Sequence, residues 1–360
     1  MRIMKNKLIE NVPAIPYDGN NAGMFTTILQ CALQSMGDEC DAAKLTALSG
    51  AGNRFCWKDG EWRGGCEVLA AINETPYETE LRVLTQISWL TTYVNVVRDT
   101  SGTPLHTNHE AIRRDFVQSI DRGHPVIAYL VKRPDCTLNL FFGYEDDGEK
   151  IVSYNYSDGS NGAQLNLTDD NRKPVAEGNW ESNIEGYIIL KSKAETTSER
   201  DTALMAFEWI SYHARRTTEL AHNQHLVGFA AWESYLRLLE HDDFASVPLE
   251  TVQRRFGIYC DGLCQIWERN QALPYYRALS KQFPEWSERL DTAVAALEEC
   301  ANYGGFLWKR GFTFDKNGFE KFRDPAERKI LADEGRRAMQ KDIEAVEQFE
   351  MILKSEVQNR

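Results

Sequence analysis

The hydrophobic positions of the first half of the chain follow two periods, one typical of helices and one typical of strands. Residues 24–36 carry apolar side chains three and four positions apart, which predicts an amphipathic helix that ends at Gly37. The segment "HEAIRRDFVQSIDRG" predicts a second helix, ending at Gly123. We expect two shorter helices over residues 41–48 and 65–73.

Several short runs in the same half are rich in β-branched and aromatic residues and are bounded by turn residues. They are "TYVNVVRD", "PVIAYLV", "TLNLFFGYE", "KIVSYNYSD" and "IEGYIILK". The polar segment "EDDGEK" between the third and fourth runs is typical of a hairpin connection. These runs predict strands of an antiparallel sheet.

Strand patterns largely disappear after the polar segment "SKAETTSERD", which we interpret as a linker. Amphipathic helices are predicted over residues 200–222, 226–241, 248–271, 274–282, 286–309 and 325–356. Pro248, Pro274 and Pro284 are expected in first helical turns, where the missing N–H costs little. The chain therefore predicts an α+β domain over residues 1–194 and an all-α helical bundle over residues 200–360.

Charge and cysteine usage narrow the possible functions. The 360 residues contain 41 Lys and Arg against 54 Asp and Glu, a formal net charge of -13. Phosphates favour basic surfaces, so this balance disfavours nucleic-acid and anionic-membrane partners. The N-terminal segment lacks the apolar core of a signal peptide, and no apolar run is long enough to span a bilayer. The eight cysteines form no CxxC pair, which favours reduced thiols and a cytoplasmic location.

Three motifs in the first half occur in a familiar order: Ser35-Met36-Gly37, then "IDRGHPVIA", then "GYEDDGEKI". With the helix, the loop-rich helical lobe and the antiparallel sheet, they resemble the papain-like fold. Within that fold they resemble the C39-peptidase-like branch, and the N-terminal domain of butirosin biosynthesis protein H is a related member of this group. The resemblance covers roughly residues 13–190, about one domain's length. The helical half more loosely resembles the all-α region of bacterial members of that group.

The resemblance implies a catalytic triad whose positions hold other residues in this chain. The family places a nucleophilic cysteine at the start of the first helix, a histidine at the start of the strand before the Gly-Tyr hairpin, and Asp or Asn on the next strand. Those positions correspond to Met24 (with Phe25, one position later, as the alternative), Thr137 and Asn155. A thioether cannot act as a nucleophile, and Asn155 cannot act alone. The resemblance therefore predicts a pseudoenzyme that has lost the catalytic Cys and His.

The former active-site cleft is expected to bind a small molecule or a peptide. Asn20 or Asn21 would correspond to the family's oxyanion glutamine. Arg54, with aromatic residues beside it, could grip an anionic or aromatic ligand, and Met24 would fill the cleft floor. The candidate ligand-binding residues are Asn20, Asn21, Met24, Arg54, Trp57, Trp62, Cys136, Tyr144, Asn155 and Tyr156. An alternative interpretation of the loop around Arg54 is a small core that holds the loop closed.

Two other functions are weighed against this one. The first is a thiol-dependent acyltransferase, amide-forming enzyme or peptidase with a relocated nucleophile, Cys136. Cys56 and Cys66 are expected in the loop-rich lobe that would line the other wall of the cleft. The second is a structural protein whose helical half caps the first domain or forms a homodimer. Four residues, His222, His225, Cys260 and Cys264, have metal-ligand chemistry, but helix packing explains their spacing better than zinc. No metal and no cofactor are predicted.

Overall fold

The computed structural model describes residues 5–14, 24–64, 73–75, 77–96, 109–130, 137–155, 173–177, 180–221 and 224–358. The chain forms two compact units. Unit 1 comprises Met1–Ala42 and Leu84–Thr197, and unit 2 comprises Ala43–Val83 and Ser198–Arg360. Residues 43–83, which the sequence analysis assigned to the first domain, therefore cluster with the helical second half.

The described helices and strands alternate in the first half, and helices dominate the second. In chain order they are β1 (Lys7–Leu8), α1 (Met24–Ser35), α2 (Ala42–Leu48), β2 (Cys56–Trp57), α3 (Glu78–Gln86), β3 (Trp89–Asn95), α4 (His109–Asp121), β4 (Val126–Leu130), β5 (Thr137–Glu145), β6 (Lys150–Asn155), β7 (Lys173–Glu177), β8 (Ile184–Lys193), α5 (Glu199–Arg215), β9 (Leu226–Val227), α6 (Gly228–His241), α7 (Leu249–Trp267), α8 (Arg269–Gln282), α9 (Ser287–Ala301), α10 (Phe306–Lys309), α11 (Lys316–Arg323) and α12 (Pro325–Gln358).

Unit 1 is built on one antiparallel sheet with the strand order β3-β8-β4-β5-β6-β7, and β1 pairs with β5 at one side. On the central strand β4, Ile127 pairs with Leu140 of β5 and with Ile188 of β8. All three side chains are fully buried, as expected for apolar runs at the centre of a sheet. The predicted strands are confirmed, with ends that move by a few residues.

Helices α1 and α4 pack against this sheet. In each helix the apolar residues recur every three or four positions and form the face that is buried. Phe116 of α4 lies 5.1 Å from Phe141, 5.0 Å from Trp180 and 5.2 Å from Tyr187 between ring centroids. The helix ends where Gly123 adopts a φ of 82°, a conformation that glycine takes without strain. Helix α1 contacts β4 and β5.

Unit 2 is helical apart from the short antiparallel pair β2–β9. Its long helix α12 packs against α5, α6 and α9. Inside, Arg269 and Asp342 form a buried ion pair at 2.7 Å, and Arg269 also donates to the carbonyl oxygens of Asn53 and Arg54. A buried charge is tolerated only when it is paired and hydrogen-bonded, so these bonds hold the loop before β2 against α8 and α12.

The predicted helix boundaries in unit 2 require corrections. The continuous helix expected over 248–271 divides at Glu268 into α7 and α8, so Pro274 lies inside α8 instead of in its first turn. Its nitrogen cannot donate to the fourth carbonyl before it, and α8 tolerates the loss one turn from its start. Helices α3 and α11 were not predicted. The short helix expected over 65–73 lies almost entirely outside the described residues.

The coarse fold class is thus shown: a mixed α and β chain with an antiparallel sheet and a helical C-terminal region. Among the helices of the described ranges, none is both long and apolar enough to cross a bilayer.

Candidate functional site: a polar cavity in the helical unit

The three triad-equivalent positions fall at the ends of elements of unit 1. Met24 is the first residue of α1, Thr137 is the first residue of β5, and Asn155 is the last residue of β6. The register pairs Thr137 with Leu130 and Asn155 with Asn139. Four other sequence-predicted site residues lie outside the described ranges: Asn20, Asn21, Cys136 and Tyr156. The thiol alternative based on Cys136 stays a prediction.

Tyr144, a further predicted ligand contact, has its hydroxyl engaged within unit 1. It donates to Asp121 at 2.8 Å, and the Lys5 ammonium also binds this carboxylate, at 2.5 Å. Burial and the bond to Asp121 raise the pKa of Tyr144. The side chain is 1% exposed, so this hydroxyl joins the N-terminal segment and α4 to the sheet.

The two predicted tryptophans of the ligand wall, Trp57 and Trp62, lie in the core of unit 2. Their ring centroids are 5.9 Å apart, and Trp57 packs 4.9 Å from Tyr235 of α6. The indole of Trp62 donates to Asp242 at 2.5 Å. The loop is therefore held closed by aromatic packing, which matches the alternative interpretation given above.

Arg54 is buried and binds Glu268 through two contacts of 3.0 and 3.2 Å from one guanidinium nitrogen. Burial raises the pKa of Glu268, and the arginine opposes this rise. Of the predicted ligand residues that the structure describes, Arg54 alone lines the cavity described below.

Burial makes four of the described thiols poor nucleophiles. It raises the pKa of Cys31 and of Cys56 to about 12, and it also raises the pKa of Cys260 and Cys300. A thiol reacts as its thiolate, so these four cysteines are expected to be poor nucleophiles near neutral pH. Cys66 lies outside the described residues. Within the described ranges, His, Cys, Asp and Glu form no group of three or more that could hold a metal ion.

Unit 2 contains a small cavity that is a candidate binding site. Its empty space is about 270 Å³, including its opening to solvent. The lining residues come from the loop before β2, from α5 and from the start of α6: Gly50, Asn53, Arg54, Phe55, Trp209, Ile210, His213, Ala214, Val227 and Gly228.

Three buried polar side chains of this lining carry atoms that have no hydrogen-bond partner among the described residues. These atoms are Nδ2 of Asn53, Nε1 of Trp209 and both ring nitrogens of His213. The three side chains are at most 7% exposed. Unpaired buried polar groups are costly and rare in native proteins, so a cluster of them around one cavity calls for an explanation.

His213 is held on α5 by aromatic neighbours and charged groups. Its ring lies 4.1 Å from Trp209, edge to face, and 5.1 Å from Tyr212. Desolvation and the nearby Arg216 and Arg82 together lower the pKa of His213 to about 4, and Glu74 opposes them. The imidazole is therefore neutral near pH 7 and offers one donor and one acceptor nitrogen.

Close packing of backbone brings the start of α6 to the cavity wall. Gly228 has a φ of 61°, and a Cβ there would lie 2.4 Å from the carbonyl oxygen of His213 and 2.5 Å from Cα of Ala214. Only glycine permits this approach. The Gly228 N–H donates to the carbonyl of Phe55 at 2.8 Å, and in the described structure no side chain caps this helix end.

A polar cluster lies next to His213 on the chain. The Tyr212 hydroxyl donates to Glu74 at 2.7 Å, Arg216 forms an ion pair with the same carboxylate, and Arg216 also contacts the Tyr212 oxygen at 3.1 Å. Arg82 stacks over Trp209 at 4.7 Å and donates to the carbonyl of Met205. Cationic groups thus flank both aromatic neighbours of His213.

Sequence reasoning missed most of this site. The sequence analysis assigned no role to Trp209 or to His213. One local signal was available, since the two residues stand four apart in "WISYH" and share a face of α5. The contribution of Asn53, 156 positions before Trp209 in the chain, had no local signal.

The sequence matches no known protein-family model and no curated protein.

Proposed function

We propose that this protein binds a small polar molecule without transforming it, and that the cavity of unit 2 is the binding site. The observation that carries the proposal is the cluster of three buried side chains, Asn53, Trp209 and His213, with unpartnered polar atoms around one cavity. Such groups reduce the stability of the free protein, and a ligand that pairs with them recovers it. Binding sites commonly combine an apolar wall with a few placed polar groups.

The proposal keeps unit 1 as a papain-like domain without its catalytic residues. Three facts support it: α1 begins at Met24 and contacts β4 and β5, β5 begins at Thr137, and β6 ends at Asn155. Methionine and threonine at these two element ends supply neither the thiolate nor the imidazole that the family's reaction needs. Four described thiols have raised pKa values, which supports a function other than thiol catalysis by these residues.

The size of the cavity supports a small molecule over a peptide. The empty space of about 270 Å³ includes open solvent, and its enclosed part has room for a small polar group but not for a peptide segment. We therefore propose a small molecule as the ligand, or the terminal group of a larger one.

The test compares thermal unfolding of the wild type and His213→Leu in the presence of three small probes. Acetamide, sodium acetate and methylammonium chloride represent neutral, anionic and cationic ligands at matched ionic strength. A probe that binds raises the unfolding midpoint of the wild type by about 2–4 °C per kcal/mol of binding, and raises that of His213→Leu less. Equal behaviour of the two proteins with all three probes would overturn the proposal.

A further inference from the structure

We infer that the ligand of the cavity is a small oxyanion, either a carboxylate or an inorganic oxyanion such as phosphate. This inference rests on the proposed binding function and names its ligand class. It follows from three features of the lining: the kind of hydrogen bond each unpartnered atom makes, the helix end at the wall, and the lack of a carboxylate among the described lining residues.

The unpartnered atoms are predominantly donors. The indole Nε1 of Trp209 carries a hydrogen and can only donate. Asn53 uses its Oδ1 to accept from the Tyr276 hydroxyl at 2.9 Å, which leaves the Nδ2 hydrogens for another partner. A neutral His213 adds one N–H. A ligand that satisfies this set must present several acceptor oxygens and needs few donors.

The start of α6 adds positive potential at the same wall. The first N–H groups of a helix have no partner within the helix, and they give that end a partial positive charge. Gly228 lines the cavity; its own N–H is bound to the Phe55 carbonyl, so the helix start contributes its partial positive charge and not this hydrogen. Anions bind at such helix ends, and here the buried His213 and Trp209 side chains supply independent donors beside it.

The charged groups described near the cavity are balanced, and Glu208 and Glu78 act on Arg82. The carboxylates of Glu268 and Glu74 are bound to Arg54 and Arg216. Arg82 contacts a carbonyl oxygen and the face of Trp209. A cation would meet no carboxylate among the described lining residues, whereas an anion would meet the hydrogen-bond donors of Asn53, Trp209 and His213.

The indole N–H of Trp209 offers a direct reporter of binding. Each of the nine tryptophans gives one indole signal in a ¹H–¹⁵N spectrum, and Trp209→Phe identifies the signal of interest. We expect acetate or phosphate to shift the Trp209 signal downfield and saturably, because a new oxygen acceptor binds this hydrogen. In His213→Leu the apparent affinity should fall roughly tenfold, the loss of about one hydrogen bond. His241→Leu, which changes an exposed histidine, should titrate like the wild type.

The outcomes separate the two proposals. A shift with acetate but not phosphate assigns a carboxylate, and the reverse assigns an inorganic oxyanion. A His213-dependent shift with acetamide or methylammonium, and none with either anion, overturns the ligand class and leaves the binding function standing. If no probe moves the Trp209 signal beyond the other eight, both proposals fail. The eight other indoles act as internal controls, so once Trp209→Phe has identified the signal, the wild-type titrations decide even if His213→Leu does not fold.

Discussion

The imidazole of His213 stands edge-on to the indole of Trp209, one helical turn earlier on α5, with their ring centroids 4.1 Å apart. This pairing fixes two polar rings at the wall of one cavity, and neither ring has a hydrogen-bond partner for its nitrogen atoms among the described residues. A core built for stability alone would place aliphatic residues here. The two rings therefore lower the stability of the free protein, as residues kept for function often do.

Replacement of His213 by leucine should stabilise the ligand-free protein. Leucine removes two buried, unpartnered nitrogens and keeps most of the apolar contact with Trp209, so we expect the free energy of unfolding to rise by about 1 kcal/mol. Urea unfolding at neutral pH measures the change. His241→Leu, at an exposed position, should stay within about 0.5 kcal/mol of the wild type. A clear loss of stability in His213→Leu would mean that the imidazole has a structural partner.

Stability should depend on His213 below neutral pH. Its pKa is about 4 in the folded protein, against an ordinary value of 6.5. Between these values the unfolded chain binds the proton and the folded chain does not, so stability is lost as pH falls from 6.5 toward 4. For this shift the loss is up to about 3 kcal/mol. Arg216, Arg82 and Glu74 set the local field.

Unfolding of the wild type and His213→Leu at a series of pH values isolates this contribution, because the carboxylates are the same in both proteins. The stability advantage of His213→Leu should grow as the pH drops from 6.5 to 4.5. A constant difference between the two proteins over this range would show that His213 titrates alike in the folded and unfolded chains.

Alanine at position 228 should be strongly destabilising. The residue has a φ of 61°, and a Cβ would meet backbone atoms of His213 and Ala214 at 2.4–2.5 Å. Strain and the forced separation of α5 from the start of α6 should together cost at least about 2 kcal/mol.

Gly257→Ala is the matched control for this substitution. Gly257 lies inside α7, and a Cβ there meets nothing within 4 Å. Alanine should stabilise the helix by about 0.5–1 kcal/mol. Equal effects of the two substitutions in urea unfolding would contradict the close approach at Gly228.

Loss of Arg54 should leave a buried carboxylate without its counter-ion. We expect Arg54→Met to cost about 3 kcal/mol at pH 7, and the double variant Arg54→Met/Glu268→Gln to recover much of this loss. Because burial already raises the pKa of Glu268, the single variant should be penalised less at pH 5, where this carboxyl more readily takes up a proton. A single variant as stable as the double variant would show that Glu268 stays solvated.

Native thiol labelling should follow burial. Cys31 and Cys56, with pKa values near 12, should resist iodoacetamide near pH 7, and Cys260 and Cys300 should behave alike. Cys264 is exposed and should react faster than these four. Modified sites are mapped by mass spectrometry, with the urea-unfolded chain as the reference for full reactivity. Rapid, selective labelling of Cys136 near pH 6 would instead favour the thiol-enzyme alternative.

Local periodicity was sufficient for many of the elements. The predicted strand "TLNLFFGYE" is β5 from end to end, and "EDDGEK" contains the turn at which Asp146, Asp147 and Gly148 all have positive φ. α4 ends just before Gly123, as expected. Such features depend on neighbours within a few positions, so the residues themselves determine them.

The pairing of distant segments could not be obtained in this way. The sequence analysis predicted that Arg54, Trp57 and Trp62 form one wall of a ligand site. In the structure Arg54 lines a cavity together with residues of α5 and α6. Trp57 and Trp62 instead belong to the hydrophobic core of unit 2. Residues 43–83 join the helical unit because their apolar and charged partners, such as Tyr235 and Glu268, stand about two hundred positions later. Hydrophobic burial has no sequence direction, so which segments share a core is decided only when the chain folds. By itself the sequence determined the acidic character of this protein and many of its helices and strands, because these depend on residues close together in the chain. The tertiary structure alone decided that Asn53, Trp209 and His213 meet.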